Sequence, residues 1–512
     1  MTTTQRYFWL FVLCLLGYFL MRLPNLLALP AHVDEGDSLL WAQLAQQGHP
    51  LRMVEKGKVL IMAFTALIGP FSGGLFVARF MVLLTGVVGL AAIYACARKM
   101  HSPQAGLLAA LLWLGTPQLI FFERISLHDI PMTSMAVLTF WLALRVIEKA
   151  DWRRALWCGL GLMLCIAAKA TGIIFLIIPA IVWLCWRTQL PARDRLRQLA
   201  LTYFFFVLLM LIPVLYLVGV HADPLHMGAN QPANLSTLFD AGGLAERVRV
   251  NLIRMIQAER NYLTIFPLLL IPLGAFILIR RNIRLLINLT LTITAILLAV
   301  ALLASKLWLR YVIPITPFLW LLIAVGAAYW LAGYRGRRPS PLLRRAAWIA
   351  ILSWLMVVGV PYAVTAQRDP TALDMPDTDR LEYVTWIASG YGMRDAVEYL
   401  AALPTAPITA IGTAGDCYGG RAMLRLESVT LICPTDDLWW DDANTAYVQS
   451  IHERAAKDGY VLIVADETAP IIAPERLPQP LRTIRVFPRP GGAYNIILYC
   501  AGADPDHHCP QP

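Results

Sequence analysis

The sequence predicts a polytopic α-helical membrane protein that ends in a small extracytoplasmic α/β domain. Three observations predict it. The mean hydropathy is +0.60, and only 15% of the 512 residues are charged, a composition outside the range of soluble globular domains. Apolar runs long enough to cross a hydrocarbon core about 30 Å thick recur as far as residue 365. The basic residues, which give a formal charge of +10, gather in short links between those runs.

About eleven runs can be placed, at about 7–29, 74–97, 105–121, 130–147, 155–168, 172–186, 199–220, 263–279, 285–304, 312–332 and 346–365. The basic links are "ARKMHS" (97–102), "EKADWRR" (148–154), "WRTQLPARDRLRQ" (186–198), "RRNIR" (280–284) and "YRGRRPSPLLRR" (334–345). They fall at every second connection, the positive-inside pattern, which puts those links and the N-terminus in the cytoplasm. The excess of positive charge therefore reports topology, with some attraction to anionic lipid, and not a nucleic-acid partner. The first run ends in "LALPAH", which has the outline of a signal-peptide cleavage site, but Arg22 interrupts it and the helix is read as uncleaved.

The fifth and sixth runs are short and meet at "AAKATG" (167–172), where Lys169 and Gly172 break the apolar pattern. Irregular backbone at membrane depth survives only where protein buries it or where it lines a wet cavity, so this break marks a site. Two outer loops are long, 30–73 and 221–262. The first contains the helix-like pieces "DSLLWAQLAQQG" and "GKVLIMAFTALIG", suited to the membrane surface.

An odd number of crossings leaves the tail, 366–512, outside the cytoplasm. There the short β-rich runs "PITAIGT", "SVTLIC", "YVLIVADE" and "YNIILYC" alternate with the amphipathic stretches "MRDAVEYLAALP" and "NTAYVQSIHERAAKDG". That alternation predicts an α/β domain. Cys417, Cys433, Cys500 and Cys509 lie in it, and an oxidising compartment allows one or two disulfides in any of three pairings. Cys14, Cys96, Cys158, Cys165 and Cys185 sit in apolar runs and read as small packing residues. No CxxC spacing suggests zinc, and His221, Asp223 and His226, or His507, His508 and Cys509, read better as loop and tail than as metal ligands. The Gly-rich "GTAGDCYGGR" (412–421) lacks GxGxxG spacing and reads as a turn. In "DDLWWDDANT" (436–445), Trp439 and Trp440 could stack on a sugar but fit core or membrane contact better.

Parity brings the ionisable residues to one side. Asp34 and Glu35, in "LPAHVDEGDSLLWAQ" (29–43), follow the first run, Asp129 the third, Lys169 the fifth, and Lys306 and Arg310, in "SKLWLRYVIP" (305–314), the ninth. Each has a structural reading as a helix cap or a snorkelling cation. Ionisable groups near lipid are costly, however, and acids and bases converging on one rim suit a specific chemistry. A sugar carried on a lipid phosphate needs cations to hold the phosphate as it leaves, and a carboxylate to take the proton of the attacking hydroxyl.

An acidic "DE" after the first run, an Asp opening the fourth, a Lys-x-x-Gly break between short central helices and "RYVIPITP" opening a late run together resemble the C-type glycosyltransferase (GT-C) fold. Within it, they resemble the branch of protein O-mannosyltransferases and lipid A aminoarabinose transferases. The resemblance spans about residues 7–332. It implies inverting transfer of a sugar from a polyprenyl-phosphate donor to an extracytoplasmic protein, lipid or glycan acceptor, in a bacterial inner membrane. It implies Asp34 as general base, with Glu35 orienting the acceptor or holding a divalent cation such as Mg or Mn, and Asp129 as the second carboxylate. Arg79, Lys169, Lys306, Arg310 and Tyr311 would bind the donor lipid phosphate. Where many relatives carry a Pro-Pro-Leu-like segment this chain reads "EKGKVLIM", which offers Lys58 as a further phosphate or acceptor contact beside its structural reading as a snorkelling cation. The tail does not resemble the β-trefoil of eukaryotic O-mannosyltransferases, and "EYVTWIASGYGMRDAVEYL" (382–400) leaves the acceptor open. A transporter or flippase of lipid-linked sugars is the rival reading, since transporters also use broken helices. A non-catalytic assembly protein is a third.

Overall fold

Helix covers most of each apolar run, as it must where lipid offers the backbone no hydrogen bonds. The computed structural model describes residues 3–71, 73–186, 188–219, 241–304, 307–333, 339–403, 408–413, 417–423, 429–433, 441–458, 461–466 and 472–501. They form two compact units: 1–26, 47–64 and 79–369 make the first, and 27–46, 65–78 and 370–512 the second.

The helices of the first unit begin with α1 (Thr3–Arg22), and its first loop carries α3 (Val59–Ile68) after a helix of the second unit, α2 (Val33–Gln46). There follow α4 (Gly74–Met100), α5 (Pro103–Gly115), α6 (Pro117–Phe122), α7 (Asp129–Val146) and α8 (Trp152–Ala168). Next come α9 (Ile177–Cys185), α10 (Ala192–Gly219), α11 (Ala241–Leu263), α12 (Ile265–Arg281) and α13 (Ile283–Leu303). The series closes with α14 (Thr316–Ala332), α15 (Pro341–Trp354) and α16 (Val360–Arg368). The starts are written locally: Ser102 accepts a hydrogen bond from Ala105 ahead of Pro103, and Asp151 caps α8 through Arg153 N–H.

Six of these stretches are by themselves long and apolar enough to cross a membrane, or seven if α11 and α12, bent by 112°, count as one. The sequence suggests about eleven. The difference lies in segments that are short or broken, such as Pro103–Gly115 and Ala170–Cys185. Asp129–Val146 and Leu309–Ala332 have 78% and 83% of their apolar windows buried, whereas Ala192–Gly219 has 11%. The first two therefore form the centre of this unit and the third shows its apolar side chains outward. Half of the expected second loop is also helix: α11 places Leu244, Val248, Leu252 and Met255 at helical spacing among its arginines, whose charge gives it the look of a loop.

The break between α8 and α9 is real. Lys169 is extended, and residues Ala170–Leu176 form a 3-10 turn. A Cβ on Gly172 would lie 2.2 Å from the carbonyl oxygen of Cys165, so only glycine fits. Gly172→Ala is expected to cost about 1–3 kcal/mol through forced backbone movement, read as a lower detergent-state melting temperature.

The second unit is built on a five-stranded sheet of β1 (Ile408–Gly412), β2 (Val429–Ile432), β3 (Val461–Asp466), β4 (Leu481–Phe487) and β5 (Ile496–Ala501). The order is β2-β1-β3-β5-β4, with β1 parallel to β2 and β3, and β5 antiparallel to both β3 and β4. Every residue of β3 is buried, as expected of a central strand covered on both faces. On one face Met393, Val397 and Leu400 of α18 (Met393–Ala402) pack against Leu462, Val464 and Leu498. On the other, Ile451 and Ala455 of α20 (Asp441–Asp458) meet Ile411, Val461 and Ile463. Between them fall the short α17 (Asp377–Arg380) and α19 (Cys417–Met423). The sequence reading misses β4, whose Arg482 and Arg485 interrupt the apolar alternation; such charges protect an edge strand.

Of the three pairings, the structure forms Cys417–Cys433, tying α19 to the end of β2 across a separation of 16 residues. Cys500 is disulfide-bonded as well, while Cys509 lies outside the described residues. Closing a loop of this length is worth about 3 kcal/mol, mostly by restricting the unfolded chain. Reduction should lower the melting temperature of the sheet unit, followed by circular dichroism with and without reductant.

Candidate active site

In the first unit the structure gathers Asp129, Lys169, Arg310 and Tyr311. Asp129 is the first residue of α7, where the positive end of the helix dipole favours a carboxylate. Lys169 Nζ donates to its Oδ1 at 2.7 Å, and Arg310 Nε lies 3.8 Å from Oδ2. Lys169 owes its direction to the break after α8, and Arg310 to the 3-10 turn Leu309–Ile315 ahead of α14. The ammonium also stands over the Tyr311 ring, 4.3 Å from its centroid, and the Arg310 guanidinium lies 5.6 Å from the Trp308 ring. The Asp129 side chain is 3% exposed, with Lys169 at 12% and Arg310 at 10%, so these charges act in a low dielectric.

Among these three side chains two cations face one carboxylate. The chain beside Lys58 runs next to this break: Ala170 N–H donates to the carbonyl of Gly57 at 2.7 Å. Gly57 has φ +62°, a turn that a side chain would strain. On the other side of this turn Glu55 accepts a hydrogen bond from Tyr216 of α10 at 2.7 Å.

In the second unit the acidic motif opens α2. Glu35 is 1% exposed, and its Oε2 accepts the backbone N–H of His32 at 2.9 Å. That is the return half of a capping box, a glutamate at the third helical position reaching back to the cap residue. Asp37 Oδ1 accepts from Trp41 Nε1 at 3.0 Å, one turn on. Asp34 is half-buried, its N–H donating to His32 Nδ1 at 3.2 Å and its carbonyl accepting from Ser38 Oγ at 2.8 Å. Gly36 lies against the α19 backbone: a Cβ there would come within 2.2 Å of the Tyr418 carbonyl.

Arg79 is fully buried in α4 and donates to the Leu26 carbonyl at 3.0 Å. It belongs with a second buried set, in which Arg22 pairs with Glu123, Trp113 Nε1 donates to Glu123 at 2.8 Å, and Arg124 donates to the carbonyls of Pro24 and Asn25 at 3.0 and 2.7 Å. This set fixes the chain where it leaves α1. Lys306, His221, Asp223, His226, Trp439, Trp440, His507 and His508 lie outside the described residues.

The sequence reading misses Glu259 of α11, half-buried against Thr316. Thr316 Oγ1 lies 3.2 Å from Glu259 Oε1 and 2.9 Å from Gln118 Oε1. The signal was an acid on the apolar face of a helix read as loop. Among the described residues no three His, Cys, Asp or Glu side chains gather as a metal set. With both Asp129 oxygens facing cations, that carboxylate does not fit a divalent ion.

Residues 57–217 match the sequence model of a family described as dolichyl-phosphate-mannose-protein mannosyltransferase. No functionally curated protein matches the chain. Among solved structures it is similar to ArnT from Cupriavidus metallidurans bound to undecaprenyl phosphate, with TM-score 0.61 and 15% identity over 98% of this chain and 99% of that one. The apo state of ArnT gives TM-score 0.59 and 14% identity, covering 98% of each chain. The mycobacterial arabinofuranosyltransferase AftD gives TM-score 0.52 and 15% identity over 98% of this chain and 40% of AftD. At these identities the likeness is one of fold, and the fold is that of the C-type glycosyltransferases.

Proposed function

For a membrane-embedded chain with the C-type glycosyltransferase fold, similar to the O-mannosyltransferases and ArnT, we propose inverting transfer of a sugar from a polyprenyl-phosphate carrier to an extracytoplasmic acceptor. The observation that carries the reading is the desolvated cluster of Lys169 and Arg310 on Asp129 beside Tyr311. Lys169, Arg310 and Tyr311, with Lys58 and Lys306, hold the donor phosphate. Asp129 orients the two cations. Asp34 is the general base; Glu35, occupied with the His32 N–H, holds the turn that presents it. Arg79 contributes by fixing the Leu26 carbonyl.

In the reaction the acceptor oxygen attacks the anomeric carbon from the face opposite the phosphate, and Asp34 takes its proton. The bond from that carbon to the phosphate oxygen breaks, its electron pair stays on the phosphate, and the cations stabilise the added charge. ArnT is the neighbour with undecaprenyl phosphate bound, which supports a carrier of that chemistry. The assignment extends to about eleven crossings of a bacterial inner membrane and a cytoplasmic N-terminus. Residues 1–365 form the transferase domain and 366–512 an extracytoplasmic one, for which the Cys417–Cys433 disulfide is the support.

The test uses purified protein in detergent, a panel of radiolabelled polyprenyl-phosphate sugars and a total extract of envelope acceptors. Label should move to an acceptor. If no donor is consumed where a known transferase of this fold is active, the reading fails.

A further inference from the structure

The C-terminal sheet domain has no role in the chemistry above, yet its unit contains the acidic motif. Several contacts within that unit converge on residues 27–36. Arg394 of α18 donates to the carbonyls of Leu27 and Ala28 at 2.8 and 3.1 Å. Val33 N–H donates to the Ala388 carbonyl at 3.1 Å, and a Cβ on Gly390 would lie 2.2 Å from the Ala31 oxygen. Gly36 meets the Tyr418 backbone of α19, the helix that the disulfide ties to β2.

At the centre is His32, 3% exposed. Its Nδ1 lies 3.2 Å from the Asp34 N–H, which fixes Nδ1 as acceptor and puts the ring proton on Nε2. Nε2 faces Glu382 Oε1 at 3.9 Å, and the Tyr383 ring packs on the imidazole with centroids 5.1 Å apart. Glu382 lies in a single π-helical turn, Leu381–Thr385, a widened turn that often marks a working residue. One buried ring thus stands between the carboxylate of the C-terminal segment and the backbone of Asp34.

We propose that His32 and Glu382 are positioning residues: the C-terminal domain clamps the first turn of α2 through this pair and so sets the direction of the Asp34 carboxylate. The inference rests on Asp34 being the base. It gives the domain a part in turnover, separate from recognition of an acceptor. Misplacing a reacting group by about 1 Å costs about 100-fold in rate, which sets the scale of the effect.

The test compares kcat and the donor KM of the full-length protein and its variants in the transfer assay. His32→Ala should lower kcat by about 10- to 100-fold with the donor KM within about 2-fold, because the phosphate contacts are untouched. His32→Asn, whose side-chain oxygen can accept the same N–H, should recover most of the loss. Glu382→Gln, which keeps a polar side chain of the same size facing Nε2, should stay near wild type, and Glu382→Leu should behave like His32→Ala. Thermal melts accompany each variant, and if His32→Ala does not fold, the Asn, Gln and Leu variants decide. Wild-type kcat in His32→Ala or Glu382→Leu, a loss confined to KM, or no recovery in a folded His32→Asn would overturn the proposal. Asp34→Asn in the same assay separates the two readings. If it is inactive while His32→Ala is wild type, only the clamp falls; if it is active, the base and the clamp fall together.

Discussion

Asp34→Asn is expected to lower turnover by about 100- to 10,000-fold, the range that a positioned general base contributes. The substitution keeps the shape of the side chain and removes its capacity to take a proton. Asn is well tolerated near a helix start, and losing a negative charge there costs only about 0.3–1 kcal/mol. The backbone contacts of Asp34, from its N–H to His32 and from Ser38 to its carbonyl, do not involve the carboxylate. Insertion, detergent monodispersity and melting temperature should therefore match the wild type while label transfer stops. Glu35→Gln and Asp37→Asn make the contrast. Glu35 serves the His32 N–H and Asp37 the Trp41 indole, so the former should act mainly on stability and the latter should be close to neutral. Substantial transfer by Asp34→Asn would remove the base from α2 altogether.

How much of this could be read beforehand depends on whether a feature leaves a local trace. Ionisable groups are rare in an apolar chain, so counting crossings was enough to put Asp129, Lys169 and Arg310 on one side, and the structure brings those three together. The broken helix was legible because Lys169 and Gly172 interrupt an apolar run. Arg79 shows the limit of the same logic. A basic residue early in an apolar helix looks the same whether it meets a phosphate, a carbonyl or both, and the structure adds the carbonyl of Leu26. Glu35 is similar: its place three residues after His32 fits a capping box, but a histidine in the cap position hides the pattern. Least legible was the union of residues 27–46 with the C-terminal sheet, which depends on contacts such as Arg394 to Ala28, 366 residues apart. Backbone carbonyls gripped by glycine-lined turns impose almost nothing on the residue types of the gripped segment.

Lys169→Met should be the other large effect, about 100- to 1,000-fold in kcat/KM for the lipid donor, the scale for removing one preorganised group facing developing charge. Met keeps the length of the stem, so packing against the Tyr311 ring survives while the charge goes. Burial decides the sign of the accompanying stability change. Asp129 would keep only Arg310, at 3.8 Å, so a carboxylate that is 3% exposed becomes poorly compensated. Breaking a buried pair from one side costs about 3–5 kcal/mol. Removing the carboxylate as well should relieve part of that cost without restoring the reaction. A Lys169→Met, Asp129→Asn double variant is therefore expected to melt above Lys169→Met and to remain inactive. Non-additivity in stability with additivity or worse in turnover distinguishes a cation that holds substrate phosphate from one that serves only its ion pair. If the double variant regains transfer along with its stability, Lys169 is a structural partner of Asp129, and the phosphate must be held elsewhere.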